Sequence, residues 1–288
     1  FHRGKPGDDY MYDMLLHGLR NTPGVEVVDE PYIEQMYSST FGPGKKDIRT
    51  ISAKGFTVYG LLPDVEVDRD DIDSKIRNGY YDLIICDIFQ GPRSQVIVEN
   101  AHKNRIVFID GNDDFYVHGP IAERFLYFKR ELRAFLPNVL PVSFAVPKEK
   151  IREPIIKTRG IAHIDPRDRS TYIYDDEDAY YNGYNESLFG VTMCKSGWDC
   201  LRHYEILASR CVPYFIDIEH LPQLTCTTLP KNELKQVNTL IASNGAENML
   251  EGPLRHQYED IRGVIHENTL QNCTTEAMAK YIIENSMR

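Results

Sequence analysis

The stretch KSGWDCLRHYEILASRCVPYF, residues 195–215, decides how the chain is read. Its last residues, from Val212, continue to Ile216 as a short apolar run of the kind that forms a buried strand. Before that strand the spacing predicts a helix starting near Asp199. The aspartate is placed as an N-cap, and Gly197 lets the preceding loop turn tightly. A lysine, a tryptophan, an arginine, a histidine and a glutamate crowd the entry to this helix. They form either a solvated helix face or a binding site.

The same alternation runs through the chain. In the first half, residues 9–21 have helical spacing with Gly24 beyond their end, and 25–29 and 56–62 read as strands. Residues 69–80 form a helix with an acidic first turn, which suits the helix dipole. The run DLIICDIF (82–89) is a strand buried on both faces. A helix over 94–104, a strand with its loop over 105–114 and a helix over 119–136 complete this half. A proline-dotted stretch, 136–154, then breaks the rhythm and sets a domain boundary near residue 150.

In the second half, 159–164 is expected as a strand, 176–189 as a helix, and 190–195 as a short strand and loop. The opening stretch follows, and 230–244 and 274–287 are helical by spacing. No internal repeat or low-complexity tract interrupts the pattern. Strands alternating with helices imply α/β architecture with mostly parallel sheets. The expectation is two α/β domains facing a cleft, residues 1–150 and 151–288, an arrangement that lets the C-terminal helix pack back on the first. Ligands of such sheets bind beyond the carboxyl ends of the strands.

Composition narrows the function. Of 288 residues, 42% are hydrophobic and 26% charged, and the formal net charge is −10. That balance argues against a general nucleic-acid or membrane-surface binder, which needs a basic face. No apolar run nears the roughly 20 residues that span a bilayer, so a soluble, cytoplasmic protein with no membrane span is expected. Phe1 reads as part of a strand, which leaves room for an upstream segment trimmed away. Six scattered cysteines include no C-x-x-C pair and read as reduced, packed thiols. Two glycosylation-type triplets, at Asn185 and Asn272, carry little weight.

The chemistry of 195–205 points to phosphate. Free N–H groups at a helix start, with the dipole behind them, favour an anion. Lys195 before the turn and Arg202 in the first turn add full charges. Glu205 can accept hydrogen bonds from ribose hydroxyls. The bland alternative makes Arg202 and Glu205, three residues apart, a surface ion pair, and Trp198 a core anchor.

Gly197, Trp198, Arg202, Glu205 and Pro213 match a G-W-x-x-x-R-x-x-E loop and helix followed by x-P-x-F. In this the chain resembles the donor-binding segment of GT-B glycosyltransferases of the exostosin-like group, found in large algal viruses and related microbes. GDDYMYDMLLHGLR (7–20) and YFKREL (127–132) look like further segments of that group. The resemblance implies a compact GT-B fold of two Rossmann-like domains, with a nucleotide-sugar donor, UDP- or GDP-linked, held by the C-terminal domain. It places a carbohydrate acceptor, an oligosaccharide or glycoprotein glycan, chiefly on the N-terminal domain. It also implies an inverting hexosyl- or pentosyltransferase, in the host cytoplasm if the source is viral.

Inversion needs a base near the attacking hydroxyl. In the loop RGKPGDDY (3–10) and the following turn the candidates are Asp8, Asp9 and Asp13, with Asp9 first and Tyr10 a neighbouring acceptor ligand. Asp9 and Asp13 are four apart and can share a helix face, or simply complement its dipole. IDGNDDFYVHG (109–119) offers Asp113 as a rival base and Asp110 and Asp114 as acceptor ligands, or it is a plain turn. Lys129 and Arg130 sit on the expected 119–136 helix, either solvated or reaching toward phosphates. Arg167 or Arg169, in the loop after the 159–164 strand, can touch the donor. The acids at 175–178 invite a metal, but a helix start explains them equally, and no metal or cofactor is assigned. No G-x-G-x-x-G after a strand, P-loop, G-x-S-x-G or H-E-x-x-H occurs. Rival readings are a nucleotide-sugar epimerase or hydrolase and a non-catalytic carbohydrate or nucleotide module.

Overall fold

The architecture is that of a computed structural model, which describes residues 1–4, 7–89, 91 and 93–288. The chain is α/β with two parallel sheets and divides into two units. The first is Phe1–Val142 with Thr275–Arg288, the second Ser143–Thr274. The division falls at Val142 rather than near residue 150, and the last helix belongs to the first unit.

In the first unit, strands β1 (Ile84–Asp87), β2 (Ile106–Asp110), β3 (Leu126–Lys129) and β4 (Val139–Pro141) pair in that order, all parallel. Single parallel bridges extend the sheet beyond β1, from His2 to Cys86 on one side and to Glu30 on the other. Segments 28–30 and 1–3 therefore precede β1 in space. The order becomes 2-1-3-4-5-6, a doubly wound arrangement whose reversal falls between segment 1–3 and β1. β1 and β2 are buried throughout, as strands covered on both faces must be.

Helix α1 (Tyr10–Arg20) buries nearly its whole length. The unit's last helix, α9 (Thr275–Ser286), crosses it at Gly18, where a β-carbon would stand 1.9 Å from the Thr275 carbonyl oxygen. Glycine is what lets the two backbones meet. Helices α2 (Ile72–Arg77), α3 (Ser94–Glu99) and α4 (Gly119–Ala122) are short.

Three sequence expectations change in this unit. Residues 25–29 form no regular strand; the segment is tied down by the bridge at Glu30, by the Phe1 ammonium on the Val28 carbonyl and by the ion pairs of Asp29 with Arg20 and Arg69. Residues 56–62 form turns with Leu62 alone bridged, to Tyr37. Gly55, Thr57 and Gly60 all have positive φ, which breaks a strand there while Val58, Tyr59 and Leu62 stay in the core. The largest change is at 119–136. After one helical turn the chain becomes β3, and Lys129 and Arg130, expected on a helix, are buried at its carboxyl end together with Glu131.

The second unit holds β5 (Arg159–Ile161), β6 (Ser187–Thr192) and β7 (Val212–Phe215), parallel and in chain order. Helix α5 (Glu177–Asn185) joins the first two strands, and α6 (Leu201–Ala208) the last two. Helices α7 (Lys231–Asn244) and α8 (Pro253–Asn272) follow. The twenty-residue α8 has a weakly apolar face and gave no periodic signal; it is anchored by Tyr258, whose hydroxyl donates to the Leu188 carbonyl at 2.9 Å. The acids at 175–178 open α5. Asp176 caps it, while Glu177 and Asp178 pair with Lys150 and Arg152. Among the described residues no helix is long and apolar enough to cross a membrane.

Lys157 joins the ends of two helices. Its buried ammonium donates to the carbonyls of Asn185 (2.7 Å), the last residue of α5, and Arg210 (2.9 Å), just past α6. Cations suit helix carboxyl ends, yet burial pushes this amine down to about 8. The unfolded chain therefore binds the proton more tightly between about pH 8 and 10.5, and stability rises with pH across that window. Urea unfolding at stepped pH should show wild type gaining on the order of 1–3 kcal/mol relative to Lys157→Met between those limits. An unchanged difference would leave Lys157 as a neutral-acting tether.

Candidate functional site

The carboxyl end of β6 builds the most distinctive polar feature of the second unit. The chain leaves β6 at Thr192 and re-enters regular structure at Leu201, and the intervening loop is fixed along its length. The Cys194 N–H donates to both Asp217 carboxylate oxygens at 3.2 Å. The Lys195 N–H closes a turn on the Gly197 carbonyl at 3.0 Å. The Lys195 ammonium reaches the Pro166 carbonyl at 2.5 Å, tying in the loop after β5. The Trp198 ring packs against Phe215 of β7.

Asp199 does not cap α6. The cap position is Cys200, which makes no side-chain capping bond. Asp199 turns inward and is 2% exposed, accepting from the Phe144 N–H (2.7 Å), the Tyr204 hydroxyl (2.8 Å) and the Cys226 thiol (3.4 Å). The helix start is consequently open. Among the described residues the backbone N–H groups of Ser196, Gly197, Trp198, Cys200 and Leu201 have no partner. Burial pushes the Cys200 thiol up even with Arg202 beside it, so no thiolate occupies the dipole's positive end.

Arg202 and Glu205 do not form the ion pair of the bland reading. The Arg202 guanidinium lies over the Tyr172 ring, 5.0 Å from its centroid. Its Nε is buried without a hydrogen-bond partner, and among the described residues no carboxylate pairs with it. Glu205 turns toward α5 and accepts from the Tyr180 hydroxyl at 2.5 Å. Burial, then the Glu205 charge, pushes that phenol far up, so it stays the donor. Arg167 is exposed and engaged locally, with Nε and Nη2 both on the Asp165 carboxylate.

In the first unit the candidate acids sort by burial. Asp9 is the α1 cap, its Oδ1 accepting from the N–H groups of Met11 (3.0 Å) and Tyr12 (3.3 Å). A β-carbon on Gly111, just past β2, would lie 3.6 Å from that oxygen and 2.8 Å from the Met11 β-carbon. The α1 start therefore abuts the carboxyl edge of the sheet. Asp13 is fully buried, pairs with Arg3 at 2.9 Å and accepts the Asp9 N–H at 3.1 Å. Burial pushes its carboxyl up to about 7 against the pull of Arg3. No acceptor hydroxyl reaches so enclosed a group, and it leaves the set of bases.

Exposed Asp8 accepts the Ser52 N–H at 3.1 Å, and the Tyr10 ring packs on Tyr59. Lys5 and Pro6 of the RGKPGDDY loop lie outside the described residues. Asp110 is buried beneath the Tyr127 hydroxyl (2.5 Å) and the Lys129 ammonium (3.0 Å). Exposed Asp113 and Asp114 take Arg130 and Lys129 as ion-pair partners. Lys129 and Arg130 are thus committed inside this unit and do not form a solvated face. Sequence reasoning had no means to find Tyr127 and Tyr180, whose hydroxyls decide how Asp110 and Glu205 are held, because each pairing joins separate elements.

Compared with models of protein families, with curated proteins and with solved structures, the chain matches none.

Removing the Asp199 carboxylate strands buried donors, each worth about 1–3 kcal/mol. Asp199→Ala and Asp199→Ser should both lose about 2–4 kcal/mol in chemical denaturation. A cap would tolerate serine almost freely. An Asp199→Ser variant as stable as wild type would return the residue to the helix terminus.

Proposed function

We propose that the protein is a glycosyltransferase of GT-B architecture that moves a sugar from a UDP- or GDP-linked donor to a carbohydrate hydroxyl with inversion. The observation that carries this reading is Arg202, a largely enclosed cation with a partnerless Nε at a helix start whose N–H groups are open. Such a cation needs an anion, and a diphosphate suits both the fork of a guanidinium and a row of backbone donors. The Lys195 ammonium spends one donor on Pro166 and keeps others for phosphate. In this reading the preorganised charge stabilises the departing diphosphate. Glu205, held by Tyr180, receives the ribose hydroxyls, Tyr172 covers Arg202, and Arg167 lies at the rim.

The base is Asp9. Its Oδ1 is spent on the cap, whereas Oδ2 has no partner among the described residues, which leaves one oxygen to take the acceptor proton. Asp8 and Asp113 are its exposed rivals. Asp114 and Tyr10 belong to the same carboxyl edge and would contact the acceptor, whereas Asp110, buried beneath Tyr127 and Lys129, would support that edge without touching it.

A thermal-shift screen of UDP, GDP, TDP and CMP sugars should raise the melting point with one donor class. Arg202→Ala should weaken that donor roughly 10- to 100-fold in calorimetry, the worth of a charged hydrogen bond. A silent screen sinks the reading, and binding without donor consumption by any acceptor makes the protein a binding module. Donor turnover without an acceptor makes it a hydrolase or epimerase. Asparagine caps a helix as well as aspartate does, so Asp9→Asn should keep the melting point while lowering kcat about 100-fold or more. Full activity in Asp9→Asn moves the base to Asp8 or Asp113.

A further inference from the structure

His203 occupies the third position of α6 and is fully buried. Its Nδ1 lies 2.8 Å from the Thr192 hydroxyl, at the last residue of β6. Its Nε2 lies 2.8 Å from the Trp198 carbonyl in the loop. Its ring packs on Phe215 of β7, centroids 4.5 Å apart, and the Trp198 ring leans on the same phenylalanine. One imidazole therefore contacts the strand that the loop leaves, the loop itself and the neighbouring strand.

The partners fix its tautomer. A carbonyl oxygen only accepts, so Nε2 carries the hydrogen. A neutral ring then has Nδ1 as acceptor, and the Thr192 hydroxyl donates to it. We infer that His203 is a positioning residue: an Nε2–H imidazole that clamps the Trp198 peptide and so holds the open N–H groups of Ser196, Gly197, Trp198, Cys200 and Leu201 in their present arrangement. The Trp198 carbonyl belongs to the peptide whose N–H is that of Asp199. Holding this carbonyl toward His203 fixes the peptide plane that leads the Asp199 side chain inward, away from the helix start. Without the clamp the peptide can rotate, and the loop loses the geometry that keeps the donors free. That the loop binds an anion rests on the reading above; the clamp itself does not.

Trp198 is the single tryptophan of the chain, so its fluorescence reports this loop directly. The amide nitrogen of glutamine can stand in for Nε2–H, whereas that of asparagine stands in for Nδ1 and is too short to reach Trp198. His203→Gln should retain the wild-type emission maximum and acrylamide quenching. His203→Asn and His203→Phe, with native far-UV circular dichroism, should show red-shifted emission and at least twofold stronger quenching. Thr192→Val, which removes only the donor to Nδ1, gives a milder change in the same direction and serves should the His203 variants not fold. Unchanged Trp198 emission and quenching in His203→Phe, or in Thr192→Val where His203→Phe does not fold, overturns the clamp. So does a His203→Gln variant that behaves like His203→Phe.

Where wild type binds a nucleoside diphosphate, UDP or GDP, the asparagine and phenylalanine variants should bind it about tenfold more weakly and glutamine should restore it. If Trp198 responds as described while wild type binds neither nucleotide, the clamp stands and the glycosyltransferase reading falls.

Discussion

A parallel sheet buried on both faces has no room for polar side chains except at the ends of its strands, and that constraint shapes both units. In the first, Asp87, Asp110 and Lys129 close the carboxyl ends of β1, β2 and β3, and all are buried. A charge taken out of water must be paired or hydrogen-bonded. Asp87 accordingly accepts from the N–H groups of Gly4 (2.8 Å) and Phe89 (3.0 Å), and Lys129 meets Asp110. In the second unit the end of β6 is polar but uncharged, and Thr192 bonds His203. Arg202, in the helix that follows, lacks the carboxylate that each buried cation of the first sheet edge possesses. That difference is what the anion of the proposed reading would make up.

The elements legible in the sequence are those whose signal is local. Helices α1, α5, α7 and α9 carry their apolar stripe in the expected place, and β1, β2 and β7 are short apolar runs between turn residues. The failures share one cause. Leu126–Lys129 is followed by Arg130 and Glu131, and charges after Phe and Leu residues look like the polar positions of a helix. They belong instead to a strand end, because Asp110, Gly111 and Asp113 supply partners from another strand and its loop. Spacing along the chain holds no information about those partners. Residues 56–62 fail in the converse way. Their apolar side chains are buried as a strand's would be, but Thr57 at φ 77° turns the backbone.

At the candidate site, residue types were legible and orientations were not. The Gly197–Asp199 turn, the helix and the strand fall within a residue or two of their expected places, the usual latitude for helix ends. A displacement of one residue nonetheless reverses the role of Asp199. As a cap it would have satisfied the first N–H groups of α6 and filled the positive end of the dipole. Turned inward, it joins the loop to Phe144 and Tyr204 and leaves those groups unspent. Glu205 is similar: its spacing from Arg202 suggests a pair, but the Tyr180 hydroxyl draws it toward α5.

Two departures from local rules meet at the start of α6. A helix start without a side-chain cap forgoes about 1 kcal/mol, and a buried guanidinium nitrogen without a partner costs about 1–3 kcal/mol more. Neither loss improves packing, since Asp199, Tyr204 and His203 already fix the loop from within. Sequences ordinarily satisfy such groups, and the exceptions collect where function requires a group to stay unspent. The inward turn of Asp199 and the enclosed, unpaired Arg202 serve the same end from opposite sides. One withdraws negative charge from the helix start, and the other brings positive charge beside it. In the proposed reading an external anion satisfies both at once, which is why that reading starts binding at the loop after β6 rather than at the first sheet's edge, where Lys129 and Arg130 already meet carboxylates.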